Sequence, residues 1–137
     1  MDLTKPLGAL GRLEGLSIRL AGMTGRLDWL PTRRACLVFA GDHGIARRGV
    51  SAYPQEVTRQ MVLNFLAGGA AVNVLARQMG ARMVVVDAGI AGDLEAAPGL
   101  VDGKVARGTA DLSQGPAMTA AEADAAMALG AAVLETQ

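Results

Sequence analysis

Aromatic side chains are almost missing from this chain of 137 residues, which has one tryptophan, one tyrosine and two phenylalanines. They cannot build its core, so Leu, Val, Ala and Met must, with 18 glycines allowing close backbone approach. Cysteine occurs once, at Cys36, which excludes an intrachain disulfide and a cysteine-based metal site and agrees with a reducing compartment. Net charge is absent too: 13 basic residues balance 13 acidic ones, and no overall field draws nucleic acid or anionic lipid. No apolar run approaches the ~18–20 residues of a membrane span. The opening MDLTKPLGAL also lacks the basic-then-apolar order of a secretory signal. Together these absences point to a cytoplasmic protein without nucleic-acid or membrane partners.

Hydrophobic residues make up 51% of the chain and charged residues 19%, a balance suited to a folded core. The leucines between Leu7 and Leu20 recur at helical spacing and predict an amphipathic helix. Residues 1–30 are therefore expected to form an N-terminal helical segment, joined through a Gly- and Pro-containing linker to residues 31–137. The second region opens with the apolar run Ala35–Ala40, read as a strand covered on both faces. A loop runs from Gly41 to Tyr53. Pro54 and Glu56 suit the start of a helix reaching about Leu66. Gly68-Gly69 breaks that helix, and Ala70–Met79 resumes it. Met83–Val86 predicts a second strand, and Leu100–Val105 a possible third within an otherwise irregular stretch from Gly92 to Pro116. Thr119-Ala120-Ala121-Glu122 is a capping-box pattern that opens an alanine-rich helix. The fold class is α/β: an incomplete Rossmann-like parallel sheet with flanking helices.

Gly41-Asp42-His43-Gly44 contains the only histidine. Carboxyl ends of parallel strands face the ligand crevice, so Asp42 and His43 are placed to orient a substrate. The bland alternative makes Asp42 a turn cap and gives His43 a buried carbonyl to bind. Gly41 and Gly44 would let the backbone approach a substrate closely, and a side chain at Gly44 would be damaging if its backbone needs positive φ. Asp42, His43, Asp87 and Asp93 have no spacing typical of zinc, so no metal is expected, and a small metal-dependent hydrolase is a remote reading. Ser17, Ser51 and Ser113 lack a nucleophile-elbow setting. The glycines miss the dinucleotide spacing, which leaves Asp87 a weak ribose-binding acid and no cofactor implied. Arg33-Arg34 and Arg47-Arg48 read as solvated charge rather than a phosphate site. Tyr53, Val57, Met61 and Phe65 share one helical face, which is either plain core or a grip for a flat apolar ring.

Several longer segments then resemble a known family. Lys5–Glu14 (KPLGALGRLE), Phe39–Gly44 (FAGDHG), Gly49–Thr58 (GVSAYPQEVT), Asn64–Ala71 (NFLAGGAA), Val86–Ile90 (VDAGI) and Arg107–Thr119 look, in order, like nicotinate-nucleotide–dimethylbenzimidazole phosphoribosyltransferases. The match departs at Ala9, where serine is expected. The resemblance implies transfer of phosphoribose from nicotinate mononucleotide to 5,6-dimethylbenzimidazole for cobalamin assembly. It implies a homodimer, a Rossmann-like domain and a small helical domain built from both chain ends. Substrate contact would fall to Asp42, His43, Tyr53, Val57 and Met61. The general-base glutamate is expected beyond residue 137, so the chain reads as a fragment, inactive alone; a non-catalytic ring-binding module, one chain of a split enzyme, is the alternative.

Overall fold

A computed structural model describes residues 5–136; residues 1–4, part of the opening that lacks a signal pattern, and Gln137 lie outside the described residues. The chain divides into two compact units, Met1–Thr32 and Arg33–Gln137.

The first unit holds helix α1, Arg12–Thr24. The leucine spacing predicts a start at Leu7, but Gly8 (φ 75°) and Gly11 (φ 52°) adopt left-handed backbone, which a continuous helix does not admit. Residues 7–11 are turns instead, with Gly11 N–H donating to the Gly8 carbonyl at 2.9 Å. The helix runs past Leu20 to Thr24, where Gly25 (φ 66°) forms a left-handed C-cap and its N–H donates to the Ala21 carbonyl at 2.8 Å. None of the helix's residues is buried.

The second unit carries three strands, β1 Ala35–Gly41, β2 Arg82–Gly89 and β3 Leu100–Asp102. All are parallel, in the order β1-β2-β3. Helices α2 Glu56–Leu66 and α3 Ala71–Gln78 connect β1 to β2, and α4 Ala120–Glu135 follows β3. Alternation along β2 sorts the core into two layers. Val85 packs with Val62, Phe65 and Leu66 of α2, and Ile90 joins them. Val84 and Val86 pack oppositely, with Val133 and Leu129 of α4. Helices thus cover both faces of the central strand, as parallel sheets require.

β1 differs from expectation. Among the described residues it pairs only with β2, and Phe39 is 45% exposed, so the run read as covered on both faces is a half-exposed edge strand. Edge and central strands carry the same apolar run, and periodicity cannot separate them. The predicted capping box is present: Thr119 N–H donates to Glu122 Oε2 at 2.7 Å, and Glu122 N–H donates to Thr119 Oγ1 at 3.2 Å. Between α2 and α3, buried Asn73 accepts from Ala70 N–H at 3.1 Å and donates to the Phe65 carbonyl at 2.9 Å, which fixes the glycine break.

Candidate functional site at the end of the first strand

The pairing register slips between Ala40 and Gly41, so Ala40 faces Asp87 while Gly41 faces Gly89. This bulge carries the chain into the Asp-His sequence. Asp42, 5% exposed, then makes three hydrogen bonds to two segments: its N–H donates to the Gly89 carbonyl (2.9 Å), its carbonyl accepts from Thr109 N–H (3.0 Å), and its Oδ2 accepts from Ala91 N–H (2.8 Å). His43 bridges Thr109 in parallel fashion and is itself exposed. The His43 carbonyl accepts from Ala46 N–H at 3.0 Å and opens a short 3-10 helix, Gly44–Arg48. The segment read as irregular therefore touches the Asp-His loop through one isolated bridge, at Thr109.

Gly44 lies outside the left-handed region. It is required for space instead. A Cβ there would stand 2.6 Å from the Ala110 carbonyl carbon and 2.7 Å from Asp111 N and Thr109 O, all backbone atoms.

Asp42, His43, Tyr53, Val57 and Met61 line one cleft of about 610 Å³, within the usual range of small-molecule sites. β1 and its loop supply one side, and the first turns of α2 the other. The helical stripe is not uniform. Phe65 packs on the core, whereas Met61 is 38% exposed and Tyr53, which precedes α2, is 71% exposed. Phe39, Ile45 and Val50 also line the cleft. Sequence reasoning missed them, although each is apolar and close to the Asp-His loop.

The remaining polar groups are mostly committed. Asp87 Oδ1 accepts from Gly89 N–H (3.1 Å) and Ile90 N–H (2.9 Å), and its Oδ2 pairs with Lys104 Nζ (2.8 Å), so it is not a free ribose-binding acid. Asp93 pairs with Arg107 at 2.6 Å. Among the described residues no three His, Cys, Asp or Glu side chains gather to hold a metal. Nor is any helix among them long and apolar enough to cross a membrane. Arg48 donates to Asp111 at 2.7 Å. The Ser113 hydroxyl, then Arg48, pulls the Asp111 pKa from 3.8 to about 2. Glu122 is held below the usual carboxylate range, chiefly by the Thr119 N–H, as a cap residue would be.

A parallel α/β sheet with an apolar cleft at a strand's carboxyl end is the arrangement in which α/β proteins commonly place a small-molecule site, and comparison with known proteins gives the class. A family model described as phosphoribosyltransferase matches residues 1–137, and the chain belongs to that family. It is 62% identical over 130 residues to the nicotinate-nucleotide–dimethylbenzimidazole phosphoribosyltransferase of Chloroflexus aurantiacus, covering 95% of this chain and 37% of that protein. The enzyme of the same name from Desulforudis audaxviator is 51% identical over 136 residues, covering 99% of this chain and 38% of its own length. A crystal structure bearing that enzyme name, from Thermus thermophilus, superposes with a TM-score of 0.86 at 53% identity, over 94% of this chain and 39% of the other. The chain thus spans little more than a third of the relatives' length.

Proposed function

We propose that this chain supplies the ring-binding part of an enzyme that transfers phosphoribose from nicotinate mononucleotide to 5,6-dimethylbenzimidazole. The product would be α-ribazole 5'-phosphate, for the nucleotide loop of cobalamin. One observation carries the reading: a flat ring (Tyr53) and a flexible thioether (Met61) open onto the same cleft as the Asp42-His43 loop. Such a surface suits a planar apolar heterocycle with polar nitrogens at one edge.

The chemistry follows from the substrates. One benzimidazole nitrogen attacks the anomeric carbon, and the bond from that carbon to nicotinate's ring nitrogen breaks. The nicotinate ring leaves with the electron pair and becomes neutral at nitrogen. The proton on the other benzimidazole nitrogen passes to a general base. Asp42 and His43 orient the ring edge, and Tyr53, Val57 and Met61 hold its faces. The base is a glutamate in the part of the relatives' length that this chain does not span, so the chain is inactive alone. In the whole enzyme, residues 1–30 contribute to a small helical domain and residues 31–137 to a Rossmann-like one. The enzyme works as a cytoplasmic homodimer without nucleic-acid or membrane partners. The single cysteine is consistent with that compartment.

Fluorescence titration with 5,6-dimethylbenzimidazole tests the cleft. Saturable binding is expected, weakened about tenfold by Met61→Ala through loss of ring contacts. No saturable binding, or an unchanged Kd in the variant, would refute it. Turnover of both substrates by this chain alone would overturn the claim that the base lies elsewhere.

A further inference from the structure

We infer that Lys104 is a positioning residue for the Asp42 side of the cleft, acting through the turn Ile90–Gly92. The inference rests on the ring-binding reading above for its functional consequence. The Lys104 ammonium meets three oxygens: Asp87 Oδ2 at 2.8 Å, the Ile90 carbonyl at 2.6 Å and the Gly92 carbonyl at 3.1 Å. An ammonium has three protons, so its donors are fully used. Asp87 holds the same turn from the other side by accepting from Gly89 and Ile90 N–H. The peptide clamped between the two carbonyls belongs to Ala91, whose N–H donates to Asp42 Oδ2 at 2.8 Å.

The pair is enclosed, with side-chain exposures of 19% for Lys104 and 4% for Asp87, so water exchanges poorly with these bonds. Without Lys104 the turn would keep Asp87 on the Ile90 N–H and Arg107 on the Ala91 carbonyl (3.4 Å), but nothing would tie its Ile90 and Gly92 carbonyls together. The ammonium converges its carbonyls and leaves the Ala91 N–H aimed at Asp42.

Lys104→Ala removes three methylenes and the ammonium, which propylammonium replaces in size and charge. Amide hydrogen exchange on the full chain should show Ala91 losing protection by about tenfold or more, beyond any change common to all amides. The dimethylbenzimidazole Kd should rise about tenfold. Propylammonium should reverse both effects, and sodium chloride of equal ionic strength should not. Lys104→Met, which keeps the stem, gives the same two readouts if the alanine variant does not fold. Ala91 exchange that falls only in step with the other amides, with an unchanged Kd per folded molecule, would overturn the inference, as would loss of folding in both variants. If the unaltered chain binds no dimethylbenzimidazole, the ring-binding reading fails, while Ala91 exchange still decides the tether to Asp42.

Discussion

Asp87 lies near the end of β2 and Asp42 one residue past β1, and both are buried, at 2% and 5% exposure. Their partners differ in kind. Asp87 faces an ammonium and two backbone N–H groups. The Asp42 carboxylate accepts from the Ala91 N–H and, among the described residues, meets no cation. Asp42 also borders two depressions, the main cleft and a smaller one beside Gln55 and Arg59. Burial alone therefore does not mark a working carboxylate. An acid paired with a cation inside the fold is structural, whereas one with no cation beside it at the rim of a cleft is where the ring-binding proposal puts a substrate contact.

Removing each acid should separate them most clearly. Asp87→Ala strands the Lys104 ammonium in a largely enclosed site, and breaking such a pair costs about 3–5 kcal/mol. Asp42→Ala removes a backbone-to-carboxylate hydrogen bond, a loss of about 1.5–3 kcal/mol. Urea unfolding measures both. An Asp42 variant as unstable as the Asp87 variant would erase the distinction.

A smaller effect tests why the Asp42 strand end is so tight. Gly44→Ala must displace the backbone of residues 109–111, and overpacking of this kind costs about 1–3 kcal/mol. Gly115 has open space around the same added atom and no positive φ, so Gly115→Ala should change little. Equal unfolding midpoints for the two variants would mean that residues 109–111 yield readily and do not fix the loop.

The contrast between the two acids also marks how far the sequence could be read. Strand β2, helix α2 and the start of α4 were legible because each has a local signal: an apolar run, a glycine break, a capping box. The Asp-His motif was legible as a loop after a strand. The fate of Asp87 was not, because its partner Lys104 lies across β3 and a turn, and no periodicity encodes which acid meets which base. The pairing of His43 with Thr109 was hidden for the same reason, and so was the backbone of residues 109–111 that Gly44 must clear. Sequence shows that a glycine is present, while only the neighbouring chain shows whether φ or space demands it. Long-range pairing, rather than local propensity, sets the details of the cleft.

Asp111 provides the subtlest probe of that pairing, since it ties the end of the 3-10 helix to the segment running beside His43. Its carboxylate accepts from the Ser113 hydroxyl at 2.7 Å and from Arg48 at 2.7 Å, which lowers its pKa from 3.8 to about 2. A depressed carboxylate contributes stability that is complete above the unfolded-state pKa and is lost as the group protonates in the folded state. The contribution should therefore be intact at pH 5 and decline between about pH 4 and 2. Asp111→Asn should lower Tm slightly near neutral pH, and the gap to the unaltered chain should close across that acid window. The other depressed acids, Glu14, Asp28, Asp93 and Glu122, titrate in both proteins and cancel in the difference. Because the Arg48 side chain is half exposed, 1 M salt should shrink the gap as well. A gap that persists unchanged at pH 2 would mean that the ion pair and the serine hydrogen bond do not hold this loop against its neighbour.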